Sequence, residues 1–187
     1  IEEHTPNFVE LNRRAHKFKT YDPALPFWKA TTPGIQMSEG AAFFVLSKSK
    51  TEASIATLEG VQTLYKPKSS DVVLQKLHSF LSLHGLSLAD IDVCLMGFSS
   101  DVTFDVYLKE LLQAIEKETV AAHFKHLSGE YHTASAFALW TATKLIERQE
   151  LPDVLAISDK KPAQINHVLI INQYLGINYS FTLLSKC

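Results

Sequence analysis

The residues best placed to do chemistry fall in one short turn, Gly129-Glu130-Tyr131-His132, just ahead of a long apolar helix pattern. Backbone N–H groups at a helix start have no partner inside the helix, and the helix dipole puts positive potential there. A carboxylate at Glu130 suits acid–base work if its pKa is raised. The structural reading, which the position favours, is the neutralising of that positive end, worth about 0.3–1 kcal/mol. His132 reads either as a hydrogen-bond donor to a bound group or as a polar cap. Cys94 lies inside an apolar strand pattern, which marks an inert buried thiol rather than a nucleophile. Cys94 and Cys187 form neither metal-like spacing nor a disulfide framework, so no metal and no cofactor is expected.

The helix that follows positions this turn. From Thr133, a residue type that can cap a helix start, the apolar positions Ala134, Ala136, Phe137, Ala138, Leu139, Trp140 and Ala142 wrap most of the cylinder. Such a helix must be covered on most sides, and its alanines let neighbours approach closely. Around it, the pattern predicts a short helix near Phe8–His16, then an irregular segment broken by Pro23, Pro26 and Pro33. Strands are expected at Ala41–Leu46, at Ala53–Tyr65 with a bulge at Gly60, and at Asp92–Met96. Further short strands are expected at Thr119–Phe124 and Val154–Ile157. Amphipathic helices are expected over Asp71–His84, ended by Gly85, and Asp105–Glu118. His167–Asn172 and Tyr179–Leu184 read as an antiparallel pair joined through Gly176. Strands alternating with helices predict a layered α/β domain, mostly parallel, with a buried central helix and a terminal antiparallel pair.

With 187 residues and a formal charge of −2, the chain can bury one good core and lacks the basic excess that phosphate binding needs. No nucleic acid is expected as partner. No apolar run is long enough to span a bilayer, and no membrane is expected either. A reducing cytoplasm is the expected setting. The opening at Ile1, apparently in mid-element, suggests a piece of something longer.

Several segments taken in order carry a resemblance. Glu3-His4-Thr5-Pro6, Met37-Ser38-Glu39-Gly40-Ala41-Ala42, Val93–Ser100 (VCLMGFSS), Lys125–Gly129 (KHLSG) and Asn172-Gln173-Tyr174 follow one another along the chain. Together they resemble the C-terminal half of the β-ketoacyl-acyl-carrier-protein synthases of the thiolase-like fold. The resemblance implies that residues 1–187 are the C-terminal half of one such domain. Its N-terminal half, with the nucleophilic Cys, would then be absent from this chain. It also implies that Lys125 matches a lysine that orients the site electrostatically. Met96 and Glu130 fall where the family has its two catalytic histidines, and Asn172 heads what remains of a gating loop, Leu175-Gly176-Ile177. Met96 and Asn172 are thereby the expected substrate-contacting positions, and Lys125, Glu130 and His132 the expected catalytic ones.

The departures carry their own implication. The family's histidines are neutral donors that stabilise the enolate left when a malonyl group loses carbon dioxide. Met96 has no hydrogen to donate, and an ionised Glu130 repels an oxyanion. Losing one such donor costs about a hundred- to a thousand-fold in rate. The resemblance thus implies a β-ketoacyl synthase-like protein of fatty-acid or polyketide biosynthesis, acting as a non-catalytic partner subunit that shapes the acyl tunnel. Chain-length factors are of that kind. Its expected partners are an acyl carrier protein and either its N-terminal half or a paired synthase subunit, in a homo- or heterodimer. Two alternatives stay open: an active condensing enzyme or acyltransferase using Glu130 and His132, and an α/β interaction domain without acyl chemistry.

Overall fold

The computed structural model describes residues 3–19 and 26–187. Five helices and five strands alternate through it. The helices are α1 (Pro6–Arg14), α2 (Ser70–Leu83), α3 (Val106–Glu118), α4 (Lys125–Ser128) and α5 (Ala134–Arg148). The strands are β1 (Ala56–Tyr65), β2 (Val93–Gly97), β3 (Val120–His123), β4 (His167–Tyr174) and β5 (Asn178–Lys186). They form one sheet in the order β1-β5-β4-β2-β3. Pairing is parallel across β3-β2-β4 and antiparallel across β4-β5-β1. The layered α/β fold, with its parallel centre and terminal antiparallel pair, is the one expected from the sequence.

The sheet is covered on both sides, and strand alternation shows how. Val93, Leu95, Val168, Ile170 and Leu184 point toward α5 and pack with Ala134, Ala138, Ala142, Leu145 and Ile146. Cys94, Met96, Leu169, Ile171, Phe181 and Leu183 point the other way, onto Val73, Leu77, Phe80 and Leu81 of α2 and Leu108, Leu111 and Ile115 of α3. All five residues of β2 are buried, as a central parallel strand with both faces covered requires. The β4–β5 turn has Leu175 and Gly176 at positive φ, with Ile177 N donating to Tyr174 O at 3.1 Å. In β1 the register slips between Leu58 and Gly60, at the expected bulge.

Four local expectations are corrected. Ala41–Leu46 lies in no strand, because no described residue offers it a backbone to pair with, and its side chains stand in the open: Phe43 is 81% exposed and Val45 100%. Val154–Ile157 is not a strand; Asp153–Leu155 makes a 3-10 turn after Pro152, and only Ala156 bridges to Ala122. Thr133 occupies the position before α5, but at φ −101°, ψ 19° its hydroxyl makes no capping bond, lacking the extended backbone that capping needs. Finally, α5 is covered on one face only, and Trp140 is 48% exposed beside half-buried Phe137 and Leu139. The expected irregular stretch around Pro23 lies outside the described residues.

Candidate functional site

Three elements meet at one end of the sheet: the end of β4, the start of α3 and the one-turn helix α4. Lys125 opens α4 and is fully buried. Its Nζ donates to Glu130 Oε2 at 2.6 Å and to Gln173 O at 2.8 Å. Glu130 is buried as well and is held by its backbone, its N donating to Gln36 O at 2.8 Å while its O accepts from Ser38 N at 3.0 Å. The Met37-Ser38-Glu39-Gly40 motif thus lies against the turn that carries Glu130. The approach is close: a Cβ on Gly129, whose φ is +70°, would come within 2.3 Å of Ser38 Cβ. Burial raises the Glu130 carboxyl above its ordinary value, and the Lys125 charge opposes that rise.

A second buried carboxylate joins the cluster. Asp105, at the position before α3, accepts at Oδ1 from Ser99 N, Ser99 Oγ and Gln173 Nε2, each at 2.9 Å. Its Oδ2 has no hydrogen-bond partner among the described residues, and burial pushes its pKa up to about 6. Gln173 links the two carboxylates, its amide on Asp105 and its carbonyl on Lys125. Sequence reading passed over Asp105, Ser99 and Gln173. One signal is the polar pair Asn172-Gln173 at the end of the apolar run Val168–Ile171, whose alternation puts the two side chains on opposite faces, so that a buried one must find partners.

Alternation along β4 separates Gln173 from the residues beside it. Asn172 and Tyr174 line a cavity of about 370 Å³ together with His132, Ser135, Thr63 and Ser180. His132 Nε2 and the Tyr174 hydroxyl lie 2.8 Å apart. Gly97 leaves room for Asn172, since a Cβ there would sit 2.3 Å from Asn172 Oδ1. That oxygen is buried and has no hydrogen-bond partner among the described residues. The structure therefore brings Lys125 to Glu130, and His132 to Asn172. Met96 is fully buried among the α2–α3 side chains and does not line this cavity. Cys94 is also fully buried, which pushes its thiol well up. No group of three or more metal-ligating side chains is found among the described residues. No helix among them is long and apolar enough to cross a membrane.

Neither a protein-family model nor a curated protein sequence matches the chain. Solved structures do. The ishigamide ketosynthase/chain length factor superposes over 100% of this chain and 52% of its own, with TM-score 0.72 at 15% identity. AntDE:AntF, a type II polyketide synthase acyl-carrier protein in complex with its ketosynthase bound to the hexaketide, covers 97% of this chain and 53% of that one, with TM-score 0.67 at 14% identity. The ketosynthase from module 1 of the bacillaene synthase of Bacillus amyloliquefaciens FZB42 covers 71% and 30%, with TM-score 0.53 at 11% identity. The fold is that of the thiolase-like ketosynthases and chain-length factors. The chain spans about half the length of the first two of these structures.

Proposed function

We propose that this chain is the C-terminal half of a ketosynthase-like protein and acts as a non-catalytic partner subunit in polyketide or fatty-acid assembly, in the cytoplasm. One observation carries the reading. Where the resemblance puts a histidine that donates to an oxyanion, Glu130 presents a carboxylate already bound to Lys125 in a buried ion pair. The carboxylate has no N–H to offer a malonyl enolate, and the Lys125 ammonium is fully buried and turned to Glu130 and the Gln173 carbonyl. The other expected donor position, Met96, is packed into the core. Support for a partner role comes from the fold, which this chain shares with a ketosynthase/chain length factor. In this reading an acyl carrier protein delivers chains to the assembled complex, and the subunit shapes the space that the chain grows into.

In this reading the N-terminal half covers the exposed apolar side chains Phe43, Val45, Leu46 and Trp140. The test uses the full-length protein, alone and mixed with an active synthase and a malonyl-loaded acyl carrier protein. No carbon dioxide should be released by the protein alone, and its addition should change product chain length in the mixture. Decarboxylation by the protein alone would overturn the reading.

A specific contact favours one alternative. The His132–Tyr174 pair borders the cavity and could serve an active transferase whose Cys lies on the other half. In that case His132→Ala abolishes turnover by the full-length protein.

A further inference from the structure

Next to Lys125 in the chain, His126 joins a cluster of four rings. His123 ends β3 and His126 lies in α4, with their rings stacked at 3.7 Å between centroids and 28° between planes. Trp28 sets its edge on His123 at 4.4 Å, and Phe27 approaches His126 edge-on at 6.4 Å. Phe27 and Trp28 belong to a single 3-10 turn, Phe27–Lys29, so this ring cluster ties the segment ahead of the first strand to β3 and α4. His123 is 4% exposed, and its Nδ1 has no hydrogen-bond partner among the described residues.

Charge on either imidazole is poorly tolerated here. A single positive imidazole here loses its water without a counter-charge, and two positive rings stacked at 3.7 Å repel each other. No anion among the described residues is set to compensate. On the 27–29 turn the charged group is Lys29, which is exposed. On α4 it is Lys125, also a cation and turned to Glu130. Lys109 of α3 reaches the Ala30 carbonyl, and Asp153, on the segment bridged to β3, is exposed and bound to Lys161.

We propose that the His123–His126 stack is an acid-sensitive latch, whose protonation releases the Phe27–Lys29 turn and loosens the α4 turn that holds Lys125 on Glu130. Burial agrees in direction, lowering His123 to about 3, with the neighbouring His126 adding to the effect. Burial lowers His126 too, opposed by the backbone of Val154. A folded-state pKa below the unfolded value means that the latch is fully held above the ordinary imidazole pKa and weakens as pH falls below it. At one pH unit below that value, the opening equilibrium shifts by about tenfold for each imidazole.

Hydrogen exchange of the full-length protein, read by mass spectrometry at pH 7.5 and 5.5 and corrected for intrinsic rates, tests this. Peptides spanning 26–31 and 121–131 should lose about tenfold or more in protection at pH 5.5. Peptides from α2 should not change. The His123→Phe, His126→Leu double variant should keep its protection at pH 5.5. Should that variant be unprotected throughout at pH 7.5, the single His126→Asn variant replaces it, and its acid response should be about half as large on a logarithmic scale. Equal protection of the wild type at both pH values, or an undiminished acid response in the variant that folds, would overturn the latch.

Discussion

At the scale of single residues, the buried pair Lys125–Glu130 is the most exposed to test. Glu130 does not simply serve the dipole of α5, because its carboxylate is bound by Lys125 at 2.6 Å with both side chains buried. Removing one member leaves an uncompensated buried charge, so Lys125→Ala or Glu130→Ala should cost about 3–5 kcal/mol in urea unfolding. Replacing both, as Lys125→Met with Glu130→Leu, should restore most of that, since two well-packed apolar groups avoid the desolvation cost of both ions. A double variant as unstable as the sum of the singles would show that the pair does more than satisfy itself.

Asp105 gives a pH dependence with a defined sign. Its folded pKa, about 6, lies above the ordinary carboxylate value, so the folded state binds the extra proton between the two. Ionisation therefore costs stability above pH 6, and the cost fades as pH falls toward 4. Asp105→Asn keeps the shape and one acceptor oxygen without the charge. Relative to the parent, it should be more favourable at pH 7 than at pH 4 by roughly 2–3 kcal/mol. Unfolding curves of both proteins at the two pH values check it, and an identical difference at both would show that Asp105 does not titrate with folding.

At the scale of elements, the turn after α4 is built on a position that only glycine fits. Gly129 has φ +70°, and the Ser38 side chain and the Gln36 carbonyl lie directly against it. An alanine there meets both a backbone conformation that is essentially glycine-only, about 1–3 kcal/mol, and a clash with Ser38. Gly129→Ala should lower stability by about 2–4 kcal/mol. Adding Ser38→Gly should recover the part due to the clash and leave the conformational part. Thermal unfolding of the three proteins separates the two costs. Gly85, also at positive φ, has nothing within 4 Å of an added Cβ and should lose only the conformational part.

At the scale of the whole molecule, exposed apolar side chains set behaviour in solution. Phe43, Val45 and Leu46 are 81%, 100% and 76% exposed, and Trp140 of α5 is 48% exposed. Large apolar side chains left open to water favour association. The 187-residue chain by itself should self-associate at low micromolar concentration. Substituting Phe43→Glu, Val45→Lys and Trp140→Glu together should shift it toward monomer in sedimentation velocity. If the unsubstituted chain sediments as a monomer that binds no hydrophobic dye, the assignment of this surface to a second half fails.

Local pattern alone was enough for much of this. Helices α2 and α3, the strands of the sheet's centre and the terminal hairpin follow from periodicities and turn residues that act over a few positions. Examples are Leu77 and Phe80 on one face of α2, Gly60 at the bulge and Gly176 in the turn. Ordering of the segments was equally legible, and with it the thiolase-like fold. The contacts between distant residues were not. Nothing local says that Gln173 bridges Asp105 and Lys125 across 68 and 48 positions, or that His126 stacks on His123 rather than facing solvent. The run Ala41–Leu46 shows the same limit from the other side. Its composition suits a strand, but a strand forms only where a second backbone accepts its hydrogen bonds, and no described residue supplies one. Local propensity decides which elements can form, and tertiary packing decides which groups leave water together, where burial is what moves a carboxylate to about 6 and holds an imidazole neutral.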